Sequence, residues 1–119
     1  MNKEELQNRT KHFALRIIKL VDALPKTLSG KAIGNQIMRS GTSVAANYRA
    51  VCRARSKADF ISKLGIVIEE ADETAFWLEL IIESKLLHAD LLRQLLREAQ
   101  EISAIMVCAR ISSVKNLKS

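Results

Sequence analysis

Apolar residues recur every three to four positions in four long runs of the chain, and short polar stretches separate the runs. That period marks amphipathic helices. In a first helix, from about Lys3 to Ala23, Leu6, Phe13, Ile17, Leu20 and Val21 share one stripe that Leu24 continues, while Arg9, Arg16 and Lys19 point mainly outward. Leu24 precedes Pro25, which biases it away from helical geometry, so residues 25–28 read as a connection and Ser29 as the next cap. A second helix runs from about Ser29 to about Ala54. At 100° per residue, Ile33, Ile37, Val44, Tyr48 and Val51 fall within roughly a 60° arc. Lys31, Asn35, Arg39, Thr42, Arg49 and Arg53 occupy the opposite side, within about 80°. Gly34, Gly41 and Ala45 border the apolar stripe and admit a neighbouring backbone.

Gly41 also permits a different reading. The segment around it has the look of a helix-turn-helix, with Gly41 in the turn and Thr42 or Ser43 capping a recognition helix. A turn would reset the apolar phase, yet the stripe keeps register from Ile33 through Val51. One continuous helix is therefore the expectation, and a helix-turn-helix DNA-binding regulator the lesser alternative.

The spacing Ser56-Lys57-Ala58-Asp59 matches a capping box with aspartate for the usual glutamate. It opens a third helix, about Lys57 to Ser84, whose inner face carries Phe60, Leu64, Val67, Ala71, Thr74, Ala75, Leu78, Ile81 and Ile82. After a loop near residues 85–89, a fourth helix turns Leu91, Leu92, Leu95, Ala99, Ile102, Met106 and Ala109 inward and ends near Lys115. Four helices joined by short connections describe an all-α, antiparallel up-down-up-down four-helix bundle, a single domain over residues 1–119. Phe13, Ile37, Val44, Tyr48, Leu64, Ala71, Leu78, Leu95 and Ile102 should share one core.

The third helix has more apolar surface than one core uses. Ile66, Phe76, Trp77 and Leu80 lie on its other side, within roughly a 100° arc, beside Glu69 and Glu73. Such a patch is expected to anchor a homo-oligomer interface, because large aromatics left in water are costly. Its acids would meet a basic face of the first or second helix on the next subunit. A contact between two different surfaces closes into a ring or runs into a filament.

Charge sharpens the picture. The formal net charge is +6. Residues 1–57 hold twelve Lys/Arg against three Asp/Glu (+9), and residues 58–119 hold seven against ten (−3), which together give the +6. Such asymmetry suits nucleic-acid binding, or complementary faces meeting within or between subunits. Arg39, Arg49, Arg53, Arg55 and Lys57 are the candidate phosphate-binding residues. The aromatic nearest them, Tyr48, faces the core, so base stacking and sequence-specific readout are not expected. The alternative is that these residues pair with the acidic third helix.

Other chemistry finds little support. The two histidines, His12 and His88, stand in no Glu-x-x-His spacing, so the Glu69/Glu70/Asp72/Glu73 cluster reads as a solvated or inter-subunit face and not as a metal site. No nucleophile–base arrangement or phosphate loop is evident, and neither enzyme activity nor a cofactor is expected. Cys52 and Cys108 lack metal-ligand spacing and read as thiols of a reducing compartment. No stretch approaches the roughly 18 uncharged apolar residues of a membrane span, so a cytoplasmic protein is expected.

RSGTSVAANYRA, RSKADFISKLGI and EEADETAFWLEL, with FALRIIKLVDALPKT and IGNQIMRSG before them, resemble the bacterial 23S rRNA intervening-sequence (four-helix-bundle) proteins over nearly the whole chain. Where those proteins often carry glycine before Ala-Asn-Tyr and an acid after the following arginine, this chain has Ala45 and Ala50. The second difference leaves Arg49 and Arg53 without a close acid on their own helix. The resemblance implies a bundle, frequently a ring-like homopentamer. It also implies partners: RNA or a ribosomal component, or the reverse transcriptase of a diversity-generating retroelement, for which a related group serves as accessory proteins. A non-enzymatic oligomeric bundle binding RNA or DNA through its basic face is the leading expectation, and a protein–protein scaffold the alternative.

Overall fold

Four helices begin and end where local chemistry sets them. In the computed structural model, which describes residues 1–118, they are α1 (Lys3–Ala23), α2 (Leu28–Val51), α3 (Lys57–Glu83) and α4 (Ala89–Lys118). Asn2 caps α1, its Oδ1 accepting from the Glu5 N–H at 2.8 Å. Thr27 caps α2 in place of the expected Ser29, its Oγ1 accepting from the Gly30 N–H at 3.1 Å. The reason is the tightness of the connection. A Cβ on Gly30 would lie 2.0 Å from the Pro25 carbonyl oxygen, so the chain folds back onto the first turn of α2 and brings Thr27 to the orphan N–H.

α2 stops at Val51, short of the expected Ala54. The N–H groups of Arg53 and Ala54 turn back to the carbonyls of Ala50 and Val51, each at 3.1 Å, so Arg53 stands in a tightened turn beyond the helix. Ser56 caps α3 as expected, accepting from the Asp59 N–H at 3.0 Å. The reciprocal half of the box is shifted by one residue, because the Asp59 carboxylate accepts from the Arg55 N–H at 3.0 Å. α3 ends in a Schellman motif: Leu86 N–H returns to Ile81 O and Lys85 N–H to Ile82 O, with Lys85 at a φ of 60°.

α2 is unbroken through Gly41, which removes the helix-turn-helix alternative. The glycine has a packing role instead. A Cβ there would meet Ile17 Cγ2 at 2.8 Å and Cγ1 at 2.9 Å, so α1 and α2 approach closely at this point. Every residue of the expected core is buried: Phe13, Ile37, Val44, Tyr48, Leu64, Ala71, Leu78, Leu95 and Ile102. Leu91 is the exception among the inward assignments, 72% exposed. It lies on the edge of the α4 stripe, one turn before Leu95, but in the first turn of α4 it borders an open cavity shared with α1 and no closed seam covers it.

Each helix packs on its sequence neighbours, and α1 meets α4 along a much shorter seam. The result is an up-down-up-down bundle about 52 Å long and 20–22 Å across. Polar links tie the interfaces. Arg9 Nε and Nη2 donate to the two Glu98 carboxylate oxygens at 2.8 and 2.7 Å, joining α1 to α4. The Ser40 and Thr74 hydroxyls pair at 2.9 Å between α2 and α3. Ser103 donates to Asp72 at 2.9 Å between α4 and α3.

Candidate nucleic-acid interface

The expected basic residues divide into two groups. Arg39 sits midway along α2 and faces α3, where its guanidinium binds Glu70 at 3.1 Å and also Glu73. The Glu73 hydrogen bond, then the Glu70 charge, raise the Arg39 pKa. Glu73 is held below the usual carboxylate range, first by the Trp77 indole N–H at 3.1 Å and then by Arg39. Arg39 therefore acts as a strut between helices. Pairing with acidic α3, the alternative reading of the whole basic set, holds for this residue.

Arg49, Arg53, Arg55 and Lys57 behave otherwise. All four are exposed, and none forms a side-chain ion pair among the described residues. They follow one another through the last turn of α2, the connection, and the first residue of α3, so the fold gathers them at one end of the rod. Arg49 lies about ten residues beyond Arg39, or about 15 Å along the helix axis. The nearby acid, Asp59, is taken up by Lys63 of its own helix and by the Arg55 backbone, and it feels the Arg55 charge without forming an ion pair with it. Lys63 Nζ at 2.8 Å and then the Arg55 backbone N–H hold its carboxyl below the usual range.

Two cations that the sequence reading left aside join this end. Lys11 lines a groove with Arg49, Gln7, Ala45 and Ala46 on the α1–α2 face. Lys3 and Arg55 line a larger concavity of about 540 Å³ with Met1, Phe60 and Ala109. Helical phase alone does not say which outward residues of α1 flank which residues of α2. The close approach of Ile17 to Gly41 supplies that register: six residues back from Ile17 is Lys11, and six on from Gly41 is Asn47, beside Arg49.

Tyr48 is buried in the core, and burial, reinforced by neighbouring Cys52, pushes its phenol up to about 12. It stays neutral at physiological pH and presents no face for stacking. The expected apolar patch of α3 is uneven: Ile66 (42%) and Phe76 (49%) are exposed, whereas Trp77 and Leu80 are half-buried. Phe76 and Trp77 pack edge to face, with ring centroids 5.1 Å apart. Glu69 and half-exposed Glu73 stand on the same face.

Among the described residues, no three His, Cys, Asp or Glu side chains come together as a metal site would require. No helix among them is long and apolar enough to cross a membrane. Fold and site thus define a four-helix bundle with unpaired basic charge at one end and an acidic-apolar face on α3. The chain matches the family model described as 23S rRNA-intervening sequence protein over residues 2–108, and it belongs to that family. It is also similar, at 34% identity and a TM-score of 0.85, to a crystal structure of a protein of unknown function from the S23 ribosomal protein family of Bacteroides thetaiotaomicron. That match covers 92% of this chain and 98% of the other. No curated protein matches.

Proposed function

We propose that the protein is a non-enzymatic, oligomeric helical bundle that binds RNA through the basic end formed by Arg49, Arg53, Arg55 and Lys57, with Lys3 and Lys11 beside them. The observation that carries this reading is the contrast in pairing. Arg9 and Arg39 are engaged by acids of neighbouring helices, while the four residues at the α2–α3 connection are exposed and unpaired. Cations held this way serve as phosphate contacts, and with Tyr48 buried they read backbone and not sequence. The family's description names 23S rRNA intervening sequences, which makes RNA the first polymer to test.

Filter binding of single-stranded and hairpin RNA across a salt series is the direct experiment. Affinity falls with salt, with a log–log slope of about −0.7 per phosphate contact on single strands. Arg49→Gln and Arg53→Gln each weaken binding about equally for all sequences and reduce the slope. Arg39→Gln leaves RNA affinity unchanged, because that side chain is spent on Glu70 and Glu73. Absence of RNA retention even at low salt refutes the proposal and leaves the scaffold reading, in which partners dock by protein contacts alone.

The oligomeric part rests on the acidic-apolar face of α3. Ile66 and Phe76 stand in solvent with Glu69 among them. A second copy of the chain, offering apolar and basic residues, covers that face in this reading. Five subunits in a ring is the first arrangement to test.

A further inference from the structure

At the opposite end of the rod, α1 and α4 draw apart. They are clasped where Arg9 meets Glu98 and Glu101. Beyond the clasp, the last two turns of α1 and the first two of α4 do not close over their own apolar side chains. A cavity of about 400 Å³ lies between them, within the range of about 300–1,000 Å³ typical of small-molecule sites. Its lining sorts by burial. Leu20, Leu92 and Leu95 are the buried members and form the floor, Leu87 is half-buried, and Leu91 stands at the mouth with 72% of its surface in water.

The charged residues at the rim, Arg16 and Lys19, are both cations; His88 stands beside them, and no carboxylate lines the cavity. Neither Arg16 nor Lys19 forms an ion pair among the described residues. Glu98, the acid that senses the Arg16 charge, is already doubly hydrogen-bonded by Arg9. An apolar floor under a cationic rim fits a molecule with an alkyl chain and an anionic head. It does not fit a nucleotide, whose base would lie on a floor of leucine side chains that offers no hydrogen-bonding partner.

We infer that this cavity binds an anionic amphiphile, a medium-length alkyl chain ending in a carboxylate. The chain lies on Leu20, Leu92 and Leu95 and completes the packing that the α1–α4 seam leaves open. The carboxylate meets Arg16 and Lys19, and His88 supplies a further donor at the rim. The site is independent of the basic end at the α2–α3 connection and lies at the other end of the bundle.

The test is a titration of the full-length ¹⁵N-labelled protein with decanoate below its micellar concentration, with decanol and decyltrimethylammonium as neutral and cationic controls. The expected result is saturable amide shifts at Leu20, Ala23, Leu87 and Leu92, with decanoate bound at least about tenfold more tightly than decanol. Affinity rises roughly tenfold from octanoate to decanoate, as burial of two more methylenes requires. Ala23→Trp, at an exposed position lining the cavity, blocks binding while circular dichroism stays helical. Combined Arg16→Gln and Lys19→Gln removes the preference for decanoate and leaves decanol binding intact. The inference is overturned by an absence of saturable shifts, by shifts confined to another surface such as the groove that Ile68 of α3 lines with Val107 and Ile111 of α4, or by equal affinity for the three head groups. It is equally overturned if the rim variants bind decanoate as well as the wild type does.

Discussion

Gly30, Gly41 and Gly65 each sit in a helix, yet a methyl group added at each meets different matter. At Gly30 it would lie 2.0 Å from the Pro25 carbonyl oxygen, which is backbone and does not yield without moving the whole connection. At Gly41 it would press on Ile17, whose β-branched side chain has little rotamer freedom in a helix. At Gly65 the nearest atom is Arg110 Nε at 3.9 Å, an ordinary contact. Alanine gains about 1 kcal/mol of helix propensity at an interior site, against an overpacking cost of about 1–3 kcal/mol where space is lacking. Urea denaturation of the three alanine variants should therefore show Gly30→Ala losing about 2 kcal/mol or more and Gly41→Ala losing about 1. Gly65→Ala should gain up to about 1 kcal/mol. Equal effects at all three positions would contradict these packing assignments.

Among the elements, the α1–α4 pair is the most dependent on polar contacts. The Arg9 hydrogen bond, with the Arg9 and Arg16 charges, holds the Glu98 carboxyl below its ordinary value of 4.5, against the opposing effect of burial. A carboxylate whose pKa is lower folded than unfolded contributes stability that is fully present above the unfolded value. That stability is lost as pH falls through the folded value. The seam should thus weaken as pH drops below about 4.5, and Glu98→Gln should flatten this part of the acid-denaturation profile. The same variant costs no more than about 1 kcal/mol at neutral pH, the scale of a partly exposed ion pair. An unchanged acid profile would assign the acid sensitivity to other groups, such as Glu73 or Asp59, which are also held low.

The elements themselves were legible before any coordinates because their apolar periods are long and uninterrupted, and all nine residues expected in the core are there. What the pattern missed depended on tertiary position. Leu91 reads as apolar and helical, but whether it is covered depends on how far α1 extends beside α4. Arg39 shares a helical stripe with Arg49, yet α3 reaches one and not the other. Thr27 and Ser29 are equally good caps by type, and only the fold of the connection chooses between them. The basic end was readable as a set of residue types, while the contribution of Lys3 and Lys11 required the α1–α2 register.

For the whole molecule, the proposed self-association gives the plainest outcome. Light scattering coupled to size exclusion should report a multiple of 13.3 kDa at micromolar concentration. Phe76→Glu places a charge on an exposed ring of the α3 face and should yield folded monomers of unchanged helicity. A monomeric wild type removes the ring and leaves Ile66 and Phe76 as isolated surface residues.

The short α1–α4 seam also bears on how the chain finds its structure. Three of the four helix–helix interfaces join sequence neighbours, and the fourth, which spans the chain, is the smallest. Loop-closure entropy therefore weighs little on the route to the native state, and low contact order implies folding in microseconds to milliseconds. The seam, having least to offer, should close after the rate-limiting barrier has been crossed. Stopped-flow kinetics of Arg9→Ala should then show faster unfolding with an almost unchanged refolding rate, the mark of a contact absent from the transition state. A variant that instead refolds markedly more slowly would move the Arg9–Glu98 clasp into the folding nucleus.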